Sequence, residues 1–382
     1  MNNYRVLLTI AGVAILLAAP ERSFSQDDGG GFFKAVSDDV SIRVGGTLQS
    51  RVTFASDLNQ VGVRHERIGF GIRRMRLRLS TNIGERLGLF LQMDGSGTFT
   101  TWLDLRGEYR VDEHLTIRAG RFVGAQPRAF ARTFHSDVDA IDRPAISERW
   151  AKMTIGSDGR DYGVEALWVS PGWEIRGFLH NGYNRLNLSS GISRTVAEGG
   201  VTDGIETEGF AFSAALTHWP DGRDRFEIGA YASVNTTKNE LTEIGRVGRN
   251  YISYSAHAYW GPLAGDQPLR LKTNIIGISY QKVDPWDVEN FIGASLFGGY
   301  LVVPHIEMFA TGEYWHGDGG GLNGINQVFA TLGGSYSLSA LRDKPFVQNR
   351  LILAYSIRSM ESKSVNFDEL THLLMMQMQL YF

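Results

Sequence analysis

The segment GIRRMRLRLSTNIGERLGLFLQMD, residues 71–94, alternates arginine with apolar residues before a short turn and continues in alternation after it. Arg74, Arg76 and Arg78 occupy every second position, and apolar residues lie between them. Because successive side chains of a β-strand point to opposite faces, one face of this strand is cationic and the other is apolar. A row of guanidinium groups predicts a narrow aqueous space enclosed by the sheet rather than an open solvated face.

Composition favours one large domain in which arginine is the main cation. The chain has 382 residues, no cysteine and a formal net charge of −3, and only seven of its 38 basic residues are lysines. Arginine offers a rigid fork of hydrogen-bond donors that lysine lacks. Acidic and basic residues are interspersed rather than collected in a tail, so no nucleic-acid partner is expected.

The first 25 residues have the features of a signal peptide. Residues 6–20, VLLTIAGVAILLAAP, form an apolar run that is too short to span a bilayer comfortably. Small residues precede a cleavage site after Ser25. We therefore expect export, removal of residues 1–25, and a short periplasmic segment at 26–39; an N-terminal membrane anchor is the alternative.

Alternation with a period of two recurs through the rest of the chain, and helical periodicity is nowhere sustained. The alternating segments are 42–54, 67–82, 87–94, 101–111, 114–122, 161–169, 173–181, 208–219, 225–235, 250–260, 268–282, 290–303, 305–315, 326–339, 346–359 and 370–382. Strands of ~10 residues suit a transmembrane barrel. The prediction is an all-β fold, a transmembrane antiparallel β-barrel of about 16 strands formed by residues 40–382.

The lengths of the connections predict the same fold. Every second connection is short, namely residues 83–86, 112–113, 171–172, 221–223 and Pro304. Most of the others are longer, notably 123–160, 182–207, 236–249, 316–325 and 360–369. Short periplasmic turns and long extracellular loops are typical of barrels in the bacterial outer membrane, whereas a soluble sandwich has no reason to sort its loops in this way.

The last strand supports this interpretation. Residues 373–382, LLMMQMQLYF, alternate and end in Phe382, which resembles the assembly signal of bacterial outer-membrane barrels and implies the barrel-assembly machinery as a partner. Aromatic residues near predicted strand ends are typical of interfacial girdles. They are Trp168, Trp173, Trp219, Trp260, Tyr314, Trp315 and Tyr336.

In such a barrel the polar face lines the lumen and the apolar face contacts outer-membrane lipid. The basic residues with lumen parity are Arg43, Arg51, Arg74, Arg76, Arg78, Arg106, Arg110 and Arg118, joined by Arg350 and Arg358 near the closure of the barrel. Arginine in a pore favours anions, so this basic wall predicts small anionic solutes. The alternative is that the arginines pair with Asp94, Asp104 and Glu108 of neighbouring strands and only hold the wall in shape.

The strand with the three alternating arginines has no acidic residue, so those arginines are the candidates for a conducting ladder. Arg106 and Arg110 are expected to be partly neutralised by acids. Arg73 and Arg121 have outward parity near strand ends, where they would contact lipid phosphates or another subunit. A local bulge that turns Arg73 inward is the alternative.

The longest internal connection, residues 123–160, is the candidate constriction loop, because loops of this length in compact domains are usually functional. It contributes charges of both signs, namely Arg128, Arg132, Asp137, Asp139, Asp142 and Arg143. Folded into the barrel opposite the basic wall, it would form a narrow passage with a transverse field. The alternative is an external loop that shields the mouth.

Three segments resemble the family of phosphate-selective porins O and P. They are GFGIRRMRLRLSTNIGERLGLFLQMD, LDLRGEYRVDEHLTIRAGRF and ISERW followed by GRDYGV, within about residues 68–165. The resemblance implies a sixteen-stranded barrel, usually a homotrimer, that passes small anions through an arginine-lined constriction. The resemblance also implies that a ladder of arginines in the pore includes Arg74, Arg76, Arg78 and Arg118. The chain differs from phosphate-specific members in its few lysines and its acidic constriction loop.

Functions other than transport, such as catalysis or metal binding, have little support in the sequence. The nine histidines are scattered without metal-ligand spacing, and GDGGGLNG at 317–324 lacks the lysine and the strand-to-helix context of a phosphate cradle. No catalytic residue, cofactor or metal is therefore expected. Three functions remain. The first is passive diffusion with a preference for anions, including phosphate, and the second is uptake of carbohydrate or another substrate along inward aromatic residues. The third is a closed barrel with a structural or adhesive role. The aromatic candidates are Phe90, Trp102, Phe122, Phe178, Tyr259 and Trp315.

Overall fold

The computed structural model describes residues 33–37, 39–58, 63–97, 99–130, 132–133, 137–155, 158–182, 192–196, 202–207, 210–223, 225–236, 250–280, 288–319, 325–362 and 367–382. The predicted signal peptide, residues 1–25, lies outside these ranges, as does most of the predicted segment 26–39.

The strands occupy nearly every segment in which the sequence alternates. They are β1 (Phe33–Ser37), β2 (Val40–Leu58), β3 (Arg64–Ile83), β4 (Leu87–Asp94), β5 (Thr101–Arg110), β6 (Leu115–Phe122), β7 (Asp161–Val169), β8 (Trp173–His180), β9 (Ile192–Val196), β10 (Thr202–Thr207), β11 (Ala211–His218), β12 (Phe226–Asn235), β13 (Tyr251–Trp260), β14 (Leu269–Tyr280), β15 (Val288–Val303), β16 (Ile306–Gly319), β17 (Ile325–Ser337), β18 (Arg350–Ser362) and β19 (Phe367–Tyr381). The described residues also form one α-helix, α1 (Ala145–Met153). In the described part of the chain, no helix has the length and apolar content needed to cross a membrane.

Sixteen of these strands form one closed antiparallel barrel, which confirms the predicted fold. Each strand pairs with the next in sequence, except that β8 pairs with β11. β19 closes the ring on β2, from Leu370 opposite Leu58 to Tyr381 opposite Thr47. The connections 84–86, 111–114, 170–172 and 304–305 lie at one end of the barrel, which we call the short-turn end. The prediction that long and short connections alternate was wrong at 338–349, which is long at this end, and at 363–366, which is short at the other end.

Three strands outside the ring were not predicted. β1 pairs with the first residues of β2, Ser37 lying opposite Val40, at the short-turn end. β9 and β10 pair with each other between β8 and β11 instead of joining the wall. In addition, the strand predicted at 346–359 begins only at Arg350.

The outer face of the barrel is apolar. The exposed fraction is 62% for Leu332, 59% for Leu296 and 55% for Met376, although each lies in the middle of a strand. An apolar band around a closed barrel is the surface that lipid requires, and it places the chain in the bacterial outer membrane. Trp168, Trp173, Trp260 and Tyr336 are exposed near strand ends, as predicted. The prediction was wrong for Tyr314, which is exposed but lies in the interior of β16, and for Trp219 and Trp315, which are buried.

A bulge in β3 changes which arginines enter the lumen. Gln49 of β2 lies opposite Arg74, but the next residue, Ser50, lies opposite Ile72, so Arg73 is an extra residue. A bulge interrupts the alternation and re-aims a side chain. Arg73 consequently turns inward. Its predicted outward position was wrong, and the alternative of a bulge is correct.

A second bulge lies in β5. The register passes from Gln92 opposite Asp104 to Met93 opposite Trp102, so Leu103 has no opposite residue in β4. Trp102 is 58% exposed and shares the outer face with Met93. Its predicted position in the lumen was therefore wrong, because alternation alone does not show an inserted residue.

Arg121 contacts the second bulge instead of lipid phosphates. Its Nη1 donates hydrogen bonds to the carbonyl oxygens of Leu103 and Trp102, the latter at 3.0 Å, and its Nη2 lies 2.6 Å from the carboxylate of Asp158. These contacts satisfy carbonyl groups at the bulge and hold the end of the loop that precedes β7.

Candidate functional site

The loop formed by residues 123–160 lies inside the barrel. Its charged side chains form ion pairs with strands in different parts of the wall. These pairs are Arg128 Nε–Glu227 Oε1 of β12 at 2.7 Å, Arg132 Nη2–Glu174 Oε1 of β8 at 2.6 Å, Asp139 Oδ1–Arg270 Nη1 of β14 at 2.5 Å, Asp139 Oδ2–Lys272 Nζ of β14 at 2.7 Å, and Asp142 Oδ2–Arg51 Nη1 of β2 at 2.7 Å. Asp137 lies close enough to Arg350 of β18 for their charges to interact. An external loop could not reach these inward side chains together.

The middle of the loop is the helix α1, which the sequence pattern did not reveal. It begins after Pro144 and buries Ile146, Trp150 and Met153, which lie three or four residues apart on one face. Glu313 of β16 accepts a hydrogen bond from the Ile146 N–H at 3.1 Å, which satisfies one of the free donors of the first turn. The helix is thereby fixed to the wall at β14–β16.

Asp142 joins the loop to two adjacent strands. Its carboxylate lies 2.7 Å from Arg51 and 3.1 Å from Arg73, and Arg73 is also 3.2 Å from Glu148. Arg51 donates a further hydrogen bond to Gln377 of β19 at 2.7 Å. Burial raises the pKa of Asp142, but the hydrogen bond and charge of Arg51 outweigh it and hold that pKa below its ordinary value. Arg51 therefore anchors the loop.

The three alternating arginines of β3 have different surroundings. Their contacts are Arg74 Nη1 to Gln49 Oε1 at 2.8 Å, Arg76 Nε to Asp94 Oδ2 at 2.9 Å, and the Arg78 guanidinium over the ring of Tyr381 at 4.6 Å from the centroid. An acid of the neighbouring strand neutralises Arg76, as the alternative interpretation anticipated. Arg74 has an uncharged partner, so the ladder is not uniform.

The remaining predicted lumen arginines lie nearer the short-turn end. Arg106 Nε is 2.6 Å from Glu108, Arg118 is 3.3 Å from Glu108 and 3.2 Å from Glu165, and Arg110 Nη1 donates to the carbonyl oxygen of Glu85 at 3.0 Å. Arg43 and Arg110 are exposed near the strand ends. The expected neutralisation by an acid is confirmed for Arg106 and was wrong for Arg110, whose partner is a backbone carbonyl.

A cavity of about 440 Å³ separates part of the loop from β3–β5. Its charged lining comprises Arg73, Arg74, Arg76, Arg143 and Arg160 with Asp94, Glu148 and Asp158. Arg160 was not among the predicted site residues, although it lies in the GRDYGV segment of the resemblance. It lies 3.0 Å from Asp104 and donates to Gln92 at 3.1 Å.

Two arginines of this cavity differ from the other three. Within the described ranges, Arg74 and Arg143 have no carboxylate oxygen within 4.0 Å, whereas each of the others has one. Arg143 donates to the carbonyl oxygens of Phe130 and Thr133 at 3.0 and 2.9 Å. Burial and the charges of Arg74 and Arg76 hold the pKa of Arg143 well below its ordinary value. The wall and the loop thus present like charges to the same space.

A smaller cavity of about 80 Å³ lies on the other side of the loop, against β13–β19. Its charged lining is balanced, with Asp139, Asp142 and Glu313 opposed by Arg143, Lys272 and Arg358. The larger cavity on the β3–β5 side is therefore the one with an excess of positive charge.

The inward aromatic residues do not form an exposed track. Phe122, Phe178, Tyr259 and Trp315 are at most 3% exposed, because they pack beneath the loop. The Arg106 guanidinium covers Phe90 at 4.7 Å from the ring centroid. A stacking slide for carbohydrate needs accessible rings, so these residues do not support one.

Asp161, His180 and Ser213 form a hydrogen-bonded row in the wall. His180 Nδ1 is 2.7 Å from Asp161, and its Nε2 is 2.8 Å from Ser213 Oγ. These distances resemble a catalytic triad. All three residues are at most 3% exposed, however, and Ser213 Oγ also bonds to Ser233 at 3.0 Å, so the row serves to satisfy buried polar groups. Among the described residues, no cluster of three or more His, Asp or Glu has the arrangement of a metal site.

No protein-family model matches the sequence, and no curated protein matches it. Solved outer-membrane structures do match the fold. An anion-selective porin from Comamonas acidovorans has a TM-score of 0.61 at 12% identity, over 89% of this chain and 100% of that chain. A loop L8 deletion mutant of OmpT, an outer membrane protein of Vibrio cholerae, has a TM-score of 0.59 at 11% identity, over 90% and 100%. The outer membrane channel DcaP of Acinetobacter baumannii has 0.59 at 12% identity, over 92% and 99%. At such identities the likeness shows a common fold, the closed transmembrane β-barrel.

Proposed function

We propose that the protein is an outer-membrane porin through which small solutes diffuse passively, with a preference for anions. The observation that carries this proposal is the pair Arg74 and Arg143. They line one cavity from the wall and from the loop, without a carboxylate within 4.0 Å in the described part of the chain. Uncompensated arginines in a narrow pore attract anions and repel cations.

The loop supports the proposal, because it is bound to several parts of the wall and leaves the arginine-lined cavity between itself and β3–β5. The fold is also that of a structure described as an anion-selective porin. That likeness extends to the fold, so the selectivity of this chain rests on its own arginines.

Phosphate is one candidate solute, since the resemblance to phosphate-selective porins implies it. Uptake of carbohydrate has less support, because the candidate aromatic residues are buried, face outward or, for Phe90, are covered by an arginine. We also propose cleavage after Ser25, assembly as a homotrimer, and recognition of Phe382 by the barrel-assembly machinery. N-terminal sequencing, native mass measurement and assembly of a Phe382→Ala variant test these three points.

The test of the main proposal is the reversal potential of purified protein in a planar bilayer under a chloride gradient. The wild type is expected to be anion-selective, and Arg74→Gln with Arg143→Gln is expected to move the reversal potential toward zero. Arg110→Gln is the matched control, because Arg110 is exposed at the short-turn end. A cation-selective wild type, or no current, would overturn the proposal.

A further inference from the structure

The arginine-lined cavity also has an apolar part. Phe99 lines it and is 83% exposed, whereas Leu103 and Phe130 line it from behind the surface, at 5% and 3% exposed. The ring of Phe130 lies 5.5 Å from the guanidinium of Arg143, measured to the ring centroid. A passage for hydrated inorganic anions has no need of an exposed phenyl ring next to its cations, whereas a solute with an apolar body would cover that ring and release water.

The charges of the cavity suit a weakly charged anion. Three of its five arginines are paired with carboxylates, which leaves Arg74 and Arg143. Three carboxylates also line the cavity and would repel additional negative charge. A single carboxylate matches the planar fork of a guanidinium through two parallel hydrogen bonds. Phosphate carries more negative charge and gains nothing from the apolar lining.

Resting on the proposed anion channel, we propose that this cavity selects organic monocarboxylates with an aromatic or other apolar body. The carboxylate pairs with Arg74 and Arg143, and the body lies against the exposed ring of Phe99. The volume of about 440 Å³ falls within the roughly 300–1,000 Å³ of small-molecule sites.

The experiment compares block of the chloride current by benzoate, acetate and phosphate in planar bilayers of the purified full-length protein. Benzoate is expected to halve the current at about a tenfold lower concentration than acetate or phosphate, since covering apolar surface adds to the carboxylate contact. Phe99→Ala is expected to remove most of the advantage of benzoate over acetate. Phe70→Ala is the matched control, because Phe70 is equally exposed, at 85%, but lies in β3 with outward parity.

The reversal potential is measured in the same chamber before any blocker is added. An anion-selective channel that phosphate blocks at the same or lower concentration than benzoate overturns this inference and leaves the proposed function standing. The same holds if Phe99→Ala keeps the full advantage of benzoate. A cation-selective current overturns the proposed function, and the inference with it.

Discussion

The carboxylate of Asp142 lies 2.7 Å from the guanidinium of Arg51, so a residue of the lumen loop is bound to a strand 91 positions earlier in the chain. Both side chains are largely buried, with exposures of 19% and 12%. The same carboxylate contacts Arg73, which the β3 bulge turns inward. This contact fixes the distance between the loop and the basic wall, and hence the width of the passage.

Replacing Asp142 with Asn is expected to loosen the loop, because it removes the charge from hydrogen bonds to two arginines. Hydrogen bonds to charged groups contribute about 2 kcal/mol, so the docked position loses stability of that order. Single-channel recordings should show more open-channel noise and larger conductance. Asp57→Asn is the control, since Asp57 pairs with Arg67, whose side chain is 74% exposed. Equal noise in both variants would contradict the anchoring role.

The strands were predictable because side chains that contact lipid alternate along each strand with side chains that face the lumen. For example, Tyr251–Trp260 alternates buried and exposed side chains along most of its length, as its sequence predicts. Single inserted residues were harder to predict, since Arg73 and Leu103 lie in otherwise regular patterns and each reverses the parity of its surroundings. The bulge at Arg73 was one of two alternatives, and the bulge at Leu103 was not expected. The position of a side chain near a bulge therefore needs the register of both strands.

The candidate site was harder to predict than the barrel. α1 is nine residues long, and a helix of this length is marginal in isolation, so its stability comes from packing Ile146 and Trp150 in the lumen. The partners of loop residues lie on strands far away in sequence, as Asp139 with Arg270 illustrates. No local pattern encodes such pairs. Its length identified the loop, but only the fold shows that Arg143 has no carboxylate oxygen within 4.0 Å in the described ranges.

Gly120→Ala is expected to impair barrel formation. Gly120 has a φ of +129°, and a Cβ there would overlap the carbonyl oxygen of Leu105 on β5. Backbone conformations of this kind cost about 1–3 kcal/mol for other residues. The folded fraction is measured by heat-modifiable mobility in gels. Gly107→Ala on β5 is the matched control, because no atom lies within 4 Å of its added Cβ. Equal folded fractions of the two variants would contradict the requirement for glycine at position 120.

Glu313→Gln is expected to increase local opening of α1. The carboxylate accepts from the Ile146 N–H, and an amide is a weaker acceptor. A helix cap contributes about 1 kcal/mol, which corresponds to roughly fivefold more of the open form. Limited trypsin digestion with mass spectrometry should show correspondingly faster cleavage after Arg149. Glu113→Gln is the control, since Glu113 is 85% exposed in the β5–β6 turn. Identical cleavage rates would argue against a capping role.

In the Glu313→Gln variant, which removes the carboxyl group that contacts α1, single-channel conductance is expected to stay constant between pH 8 and about pH 5. Burial raises the pKa of Asp139, but the charges of Lys272 and Arg270 lower it to about 2, and the pKa of Asp142 is lowered too. A depressed carboxylate pKa contributes stability that is present above the ordinary value of about 3.9 and is lost only as the pH falls toward the depressed one. Both anchors therefore remain charged across this range. A stepwise rise in the conductance of this variant between pH 7 and pH 5, after correction for bulk conductivity, would contradict the anchoring role of Asp139 and Asp142.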